Sequence, residues 1–157
     1  MRISGDTRAI VFLGLGSNIA PEENLRLATS ELRSHYGDLD LSAVYQSAAV
    51  GFDGADFLNL VVRLRSKESA LGICEAIVRI HNLAGRDHKN HKWESRSLDI
   101  DLLLYNDLIS DERPVRVPRH DVLDYAFVLR PLAELAPDLV HPVTGRTLSQ
   151  HWQEFDA

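Results

Sequence analysis

The segment from residue 98 to residue 105 restricts the possible folds of this chain more than any other part of its sequence. It reads Leu-Asp-Ile-Asp-Leu-Leu-Leu-Tyr. Because successive side chains of a strand point to opposite faces, this pattern predicts a β-strand with one buried face. The apolar side chains expected in the core are those of Leu98, Ile100, Leu102 and Leu104. Asp99 and Asp101 should therefore emerge together on the other face, with their Cα atoms about 7 Å apart.

Alternating and helical spacings predict the remaining elements. Further strands are expected at 9–13, 39–46 and 57–64, with a return strand beginning at Leu108 and Ile109. Helices are expected at 21–35, from a cap at Ser66 or Ser69 to Gly85, at 125–135 despite Pro131, and after a Ser149 cap. The apolar face of the second helix is expected to hold Leu71, Cys74, Ile77, Val78 and either His81 or Leu83. The resulting order, β-α-β-β-α-β, indicates an α+β fold with helices on one face of a mainly antiparallel sheet.

Length and composition indicate one globular domain spanning residues 1–157. The longest apolar run, 9–15, is far shorter than the roughly 20 residues of a membrane-spanning helix. No targeting segment is visible in the sequence. The chain has one cysteine, Cys74, so no internal disulfide can form, and we expect a small buried thiol in a reducing, cytoplasmic setting.

Charge is distributed unevenly along the chain. With 17 Lys and Arg against 23 Asp and Glu, the net charge is −6, which argues against general binding to nucleic acid or to an anionic membrane. Residues 86–96 nevertheless read RDHKNHKWESR, a basic segment inside an acidic protein. Trp93 in its middle is costly to expose without a purpose, so we expect this segment to form a mobile lid.

The basic segment leads directly into the carboxylate pair, in the pattern Arg96-x-x-Asp99-x-Asp101. Magnesium takes oxygen ligands, often one or two carboxylates completed by waters and substrate phosphates. Arginine binds phosphate through bidentate contacts. Together these residues predict a site for a metal ion and a polyphosphate.

Motifs for several other functions are missing or incomplete. Gly14-x-Gly16 follows a predicted strand but continues into Ile19 without the strand-helix-strand unit of a dinucleotide fold. The sequence contains no phosphate-binding loop of the G-x-x-x-x-G-K-[ST] type, no zinc motif among its seven histidines and no G-x-S-x-G elbow. An RNA-binding domain with the same element order would stack bases on aromatic residues of the sheet. Here the corresponding strand carries aspartates, which repel a phosphate backbone.

The segment 92–103, read with four other stretches, resembles the 6-hydroxymethyl-7,8-dihydropterin pyrophosphokinase family of the folate pathway. The supporting stretches are Gly14-Leu15-Gly16-Ser17-Asn18, Phe57-Leu58-Asn59, Gly85-Arg86, and Phe127-x-Leu129-x-Pro131-Leu132 followed by Glu134-x-Ala136-Pro137. The resemblance implies a ferredoxin-like, three-layer α-β-α fold. It also implies transfer of pyrophosphate from ATP to the pterin hydroxymethyl group, with AMP released and two Mg²⁺ ions required.

The resemblance also assigns roles to individual residues. Asp99 and Asp101 would bind both metal ions, and Arg86 and Arg96 would bind the phosphates and stabilise the transferring group. The remaining nucleotide contacts would come from His81, His88, Lys89, Trp93 and His120. The pterin would be bound by Ser47, Val50, Gly51, Phe57, Asn59 and Phe127, with Asn59 on its amide-like edge and the two phenylalanines on its ring. The implied partners are small molecules, and the chain is expected to be a monomer.

Several positions depart from the family pattern, mostly on the nucleotide side. His81 stands where an acid is usual, His88 where a second arginine is common, and Glu94 replaces a glycine. Pro118-Arg119-His120 shifts a histidine by one place, and Ala48 and Ala49 replace a proline-rich stretch. These departures leave open an alternative, a relative that binds pterin or nucleotide but has lost or changed the reaction.

Overall fold

The computed structural model of this chain describes residues 5–49, 51, 53–85 and 98–155. The strands are β1 (Ala9–Ser17), β2 (Asp40–Leu41), β3 (Tyr45–Ser47), β4 (Phe57–Ser66), β5 (Asp99–Tyr105), β6 (Ser110–Glu112) and β7 (Val115–Val117). The helices are α1 (Pro21–Tyr36), α2 (Ala70–Leu83), α3 (Asp121–Asp124), α4 (Ala126–Leu135) and α5 (Leu148–Glu154). None of these helices is long and apolar enough to cross a membrane.

The main sheet has the order β2-β4-β1-β5, and β3 pairs with β4 beside β2. Each of its strand pairs is antiparallel, which confirms the predicted α+β fold. The predicted strand 39–46 is divided into β2 and β3, because Ser42 turns inward between them. The backbone N–H of Ser42 donates to the Val61 carbonyl at 2.9 Å, and its hydroxyl accepts the Val61 N–H at 2.9 Å.

Helices cover both faces of this sheet, so the molecule has three layers. On one face, side chains of α1 and α2 pack against alternate residues of β1, β4 and β5. On the other face, α3, α4 and α5 pack against Phe12, Val61, Leu103 and Leu104. The prediction from element order that helices cover only one face is therefore wrong. The three layers are those that the family resemblance implied.

The buried face of α2 differs from the predicted one. Leu71, Val78 and Leu83 are 49%, 51% and 56% exposed, and Cys74 is half-buried. The helix buries Ile77 and His81, as predicted, and it buries Ala70, Ile73, Ala76 and Ile80 in place of the exposed residues. Both sets recur at helical spacing, so periodicity alone cannot choose between them. Ser69 caps the helix by accepting the Gly72 N–H at 3.1 Å, while Ser66 accepts the N–H of Glu68 at 3.0 Å.

A bulge in β5 changes the face of one predicted core residue. Phe12 pairs with Leu104 and Leu13 with Leu102, which leaves Leu103 as an extra residue. Beyond a bulge, side chains switch faces. Leu104 therefore packs with Leu103 on the α4 side, and its predicted place beside Leu102 is wrong. Leu98, Ile100 and Leu102 lie in the α1–α2 core as predicted.

Two features of the second half also differ from expectation. The return strand begins at Ser110 rather than at Leu108 and forms the β6–β7 hairpin. The last helix is capped by Thr147 rather than Ser149, because the Thr147 hydroxyl accepts the Gln150 N–H while the Gln150 side chain accepts the Thr147 N–H. The helix predicted at 125–135 is confirmed as α4, with Pro131 inside it.

The corrected face of α2 is tested by a pair of substitutions. Ile73→Ala should lower the free energy of unfolding by about 2–5 kcal/mol, because it leaves a cavity at a fully buried site. Leu71→Ala, at a half-exposed site of the same helix, should change it by less than about 1 kcal/mol. Denaturant titration measures both values. A larger loss for Leu71→Ala would show that the originally predicted face is the buried one.

Candidate active site

Two glycines of β1 form an open floor between two sets of polar side chains. Gly14 pairs with Asp101, and Gly16 pairs with Asp99 on one side and Asn59 on the other. Residues directly opposite each other on adjacent strands share a face of the sheet. Asp99, Asp101 and Asn59 therefore lie on one face, and the glycines add no side chain between them. This is the face covered by α4 further along the sheet.

Asn59 is held in one orientation beside this floor. Its side chain is nearly buried, and its Nδ2 donates to the Ser47 hydroxyl at 2.8 Å and to the Tyr45 carbonyl at 3.4 Å. A carbonyl oxygen can only accept, so the NH₂ group must face β3 and Oδ1 must face the floor. A Cβ atom built on Gly16 would lie 3.0 Å from Oδ1. Gly16 thus leaves the space that this oxygen occupies.

A carboxylate on α4 restrains β3, the strand that carries the hydrogen-bond partners of Asn59. Glu134 accepts hydrogen bonds from the Tyr45 hydroxyl and, at 2.9 Å, from the Ala43 backbone N–H. The Arg130 guanidinium lies 5.0 Å from the centre of the Tyr45 ring. The hydrogen bond to Glu134 raises the pKa of Tyr45 and so favours the protonated phenol that donates it. These contacts join β3 to α4 and restrain Ser47, two residues beyond Tyr45.

The two phenylalanines expected at the pterin lie on different elements. Phe57 pairs with Ser47 and shares the face of Asn59, and its ring comes within 3.8 Å of the Cβ position built on Gly16. Phe127 belongs to α4 and stacks on Tyr125, with ring centroids 5.0 Å apart. Ser47, Phe57 and Asn59 are thus brought together at the β3–β4 end of the floor. Phe127 lies on the same side of the sheet, where it packs against the core formed by α3, α4 and α5.

The segment Gly16-Ser17-Asn18 attaches the loop before β4 to the end of β1. Asn18 is buried and its Nδ2 donates to the Ala55 carbonyl at 3.0 Å, while the Ser17 hydroxyl donates to the Ile19 carbonyl at 3.1 Å. Asn18 contributed to the sequence resemblance without an assigned role. Its structural role is to fix the approach of the chain to Phe57.

At the other end of the floor, an arginine lies beside the carboxylate pair. Arg119 Nη2 is 3.6 Å from Asp101 Oδ1, and its Nε is 3.2 Å from Asp121 Oδ2. Burial opposes the charged form, but the nearby carboxylates outweigh it and raise the pKa of Arg119. The sequence identified Arg119 as a departure from the family pattern and assigned it no place in the site. The distance to Asp101 could not be read from a pattern of residues 18 positions apart.

His81 supports the strand that carries both carboxylates. Its side chain is buried, and its Nε2 accepts the backbone N–H of Ile100 at 2.9 Å. Ile100 stands between Asp99 and Asp101, so this hydrogen bond restrains the segment that sets their separation. The expected contact of His81 with the nucleotide stays a prediction.

Other expected site residues lie at the surface or outside the described part of the chain. Gly51 is exposed with φ +83°, a conformation suited to glycine. His120 is exposed just before α3. The expected residues outside the described ranges are Val50, Arg86, His88, Lys89, Trp93 and Arg96.

The carboxylate pair has the donor chemistry that a hard cation requires. Asp99 and Asp101 are partly exposed and share one face of β5, and Mg²⁺ commonly takes one or two protein carboxylates together with substrate phosphates. Within the described ranges, no group of three or more His, Cys, Asp and Glu side chains is arranged to hold a metal ion.

The fold and the site together define an α+β protein with a carboxylate pair and a restrained asparagine on one sheet face. Residues 12–137 match the model of the 7,8-dihydro-6-hydroxymethylpterin-pyrophosphokinase family, and the chain belongs to this family.

The chain is similar to curated relatives over most of its length. It is 31% identical over 144 residues to the 2-amino-4-hydroxy-6-hydroxymethyldihydropteridine pyrophosphokinase of Aquifex aeolicus, covering 90% of this chain and 89% of the relative. It is 35% identical over 147 residues to the protein of that name from Synechocystis sp., covering 92% and 75%. Among solved structures, the Plasmodium falciparum HPPK-DHPS matches with a TM-score of 0.74 and 14% identity. That alignment spans 96% of this chain and 45% of the Plasmodium chain, and at such identity it supports the fold alone.

The role of Gly16 can be tested without any ligand. Gly16→Ala should displace the Asn59 carboxamide, because the new methyl group would lie 3.0 Å from Oδ1. Gly14→Ala is the matched control, since its Cβ meets the Leu103 side chain at 3.4 Å and does not approach Asn59. We expect the side-chain amide resonances of Asn59 to shift in the ¹H–¹⁵N spectrum of Gly16→Ala alone. Equal shifts in the two variants would contradict this role.

Proposed function

We propose that this chain transfers pyrophosphate from ATP to the hydroxymethyl group of 6-hydroxymethyl-7,8-dihydropterin and releases AMP. The observation that carries the proposal is the arrangement across the glycine floor. A restrained amide suited to a planar heterocycle lies on one side of Gly16, and a carboxylate pair suited to a metal and phosphates lies on the other. Membership of a pyrophosphokinase family supports the same reaction.

Asn59 is the residue that would recognise the pterin. A pterin carries ring N–H, amino and carbonyl groups along one edge, and the Asn59 Oδ1 accepts a hydrogen bond from that edge. Ser47 fixes the amide orientation, so that this acceptor is already in place before binding. Phe57 and Phe127 would pack on the ring faces. Val50 and Gly51 would form an adjoining wall.

Asp99 and Asp101 would hold Mg²⁺ at the phosphate end, with two ions expected. Bound Mg²⁺ neutralises phosphate charge and orients the phosphate oxygens for displacement. Arg86 and Arg96 would bind the same phosphates and stabilise the charge of the transferring group. The remaining nucleotide contacts would come from His88, Lys89, Trp93 and His120. We also assign His81 to the nucleotide site, where it would act by supporting the strand that carries Asp99 and Asp101.

The reaction needs alignment more than covalent participation by the protein. The pterin hydroxyl oxygen forms a bond to the β-phosphorus of ATP, and the bond from that phosphorus to the α,β-bridging oxygen breaks. AMP leaves with the bridging oxygen and the electron pair of that bond, and the hydroxyl proton passes to solvent water. Asn59 would orient the pterin, and Asp99 and Asp101 would place the phosphates. Fixing both reactants on one rigid sheet face removes much of the entropic barrier.

A second candidate function follows from the contact between Arg119 and Asp101. A protein that binds pterin or nucleotide without catalysing the transfer could also carry a cation beside a metal ligand. The alternative is therefore a pterin- or nucleotide-binding relative with lost or altered chemistry.

We propose further that the chain acts as a monomeric, cytoplasmic, single-domain enzyme with small-molecule partners.

The reaction and the metal site can be tested in one assay. The protein is incubated with ATP, Mg²⁺ and the dihydropterin, and AMP is separated from ADP. We expect AMP only when pterin is present, and a loss of more than about 100-fold in the Asp99→Asn, Asp101→Asn double variant, because the phosphates lose their charge-neutralising support. Asp111→Asn, an exposed carboxylate on β6, is the control. Binding of pterin without AMP would favour the second candidate.

The pterin end can be tested separately by fluorescence titration with 6-hydroxymethylpterin. Asn59→Leu should weaken binding by about 100-fold, because the amide edge loses its partner in a nearly buried site. Ser47→Ala should weaken it by about tenfold, because the amide is no longer held in one orientation. Gln46→Ala, on the neighbouring exposed position, should bind like the parent protein. Unchanged binding by Asn59→Leu would place the pterin elsewhere.

A further inference from the structure

Arg119 is a cation held beside a proposed metal ligand by contacts on three sides. Its Nη2 lies 3.6 Å from Asp101 Oδ1, and its Nε lies 3.2 Å from Asp121 Oδ2. Its backbone N–H donates to the Leu103 carbonyl at 3.0 Å. The backbone contact fixes this residue next to β5, and the Asp121 carboxylate restrains the guanidinium.

The charges explain why a cation is favoured at this position. Asp99 and Asp101 lie on one face of β5, and two carboxylates on one face repel each other. A guanidinium at 3.6 Å reduces that repulsion in the protein without a metal. A divalent cation at Asp101 would in turn be repelled by Arg119, since both positive charges approach the same carboxylate.

A polyphosphate changes this balance. Its oxygens carry several negative charges, and a guanidinium binds phosphate oxygens through short, charge-assisted hydrogen bonds. The Arg119 side chain is 39% exposed, so its outer part is accessible from solvent. Asp121 can retain the guanidinium at the site after its contact with Asp101 is lost.

We propose that Arg119 is an internal counter-ion of Asp101 that couples metal binding to nucleotide binding. In the protein without ligands, Arg119 occupies Asp101 and weakens the binding of a metal ion alone. When a metal ion arrives together with a polyphosphate, Arg119 leaves Asp101 for the phosphate oxygens and strengthens binding of the complex. This inference rests on the proposed function, because it takes Asp101 as a metal ligand and ATP as the ligand.

The first test uses Mn²⁺ alone, followed through the electron paramagnetic resonance signal of the free ion. Arg119→Gln should bind Mn²⁺ about two- to fivefold more tightly than the parent protein, the range expected for removing a partly exposed ion pair. Arg116→Gln is the matched control, because Arg116 is an exposed arginine of β7 that pairs with Asp111 at 3.8 Å. Unchanged or weaker Mn²⁺ binding by Arg119→Gln would overturn the proposal.

The second test uses α,β-methylene-ATP with Mg²⁺, an analogue that cannot be cleaved at the bond broken in the proposed reaction. Arg119→Gln should bind this complex about tenfold more weakly, because it loses a charge-assisted contact. Arg119→Lys should recover part of this loss and keep Mn²⁺ binding close to that of the parent protein. Opposite shifts for metal and nucleotide are not expected from a general loss of structure. Analogue binding unchanged in Arg119→Gln would overturn the coupling.

These outcomes are separate from those of the proposed function. The Mn²⁺ titration requires no transfer, so a protein that makes no AMP can still show the Arg119 effect. If the Asp99→Asn, Asp101→Asn double variant binds Mn²⁺ like the parent protein, the metal site itself is wrong. If that variant loses Mn²⁺ while Arg119→Gln is unchanged, the metal site stands and the role of Arg119 is overturned.

Discussion

The register of β1 between β4 and β5 is the constraint on which the site depends. If the pairing of β1 shifted by one residue, Gly14 and Gly16 would face the α1–α2 core. Leucine side chains would then lie beside Asp99, Asp101 and Asn59. The register is strongly determined because Leu13 and Leu15 are buried on the opposite face. The apolar core thus decides where the polar groups meet, although it contributes no chemistry of its own.

Each end of the floor is then restrained by contacts outside the central strands. Glu134 joins α4 to β3, which carries the Ser47 partner of Asn59. His81 joins α2 to the backbone between the two aspartates. The two ends of the site are therefore restrained by different helices, α4 from one outer layer and α2 from the other. The sheet fixes their separation, and the helices fix the orientation of their functional groups.

Much of this arrangement could be predicted from local sequence. The alternation in β5 predicted the shared face of Asp99 and Asp101, because that face depends only on the period of a strand. The faces of α2 and Leu104 could not be predicted in the same way. Two apolar sets compete at helical spacing in α2, and the bulge at Leu103 depends on pairing with β1. Tertiary packing decides both, and a single segment does not contain that information.

The candidate site shows the same division. Asn59 and Ser47 were expected at the pterin through the family resemblance, but the hydrogen bond between them depends on the pairing of β3 with β4. Arg119 was identified as a departure, while its approach to Asp101 depends on the path of the chain after β7. Residues that act through long-range contacts are the ones that sequence patterns leave without a role.

We propose that the two ends of one glycine floor bind the two substrates. Anomalous diffraction from Mn²⁺ in crystals grown with 6-hydroxymethylpterin and α,β-methylene-ATP tests this claim most directly. We expect manganese at the carboxylates of Asp99 and Asp101 and the pterin edge at the Asn59 amide, with the polyphosphate between them. Manganese bound away from both carboxylates, or a pterin that makes no contact with Asn59, would contradict the account.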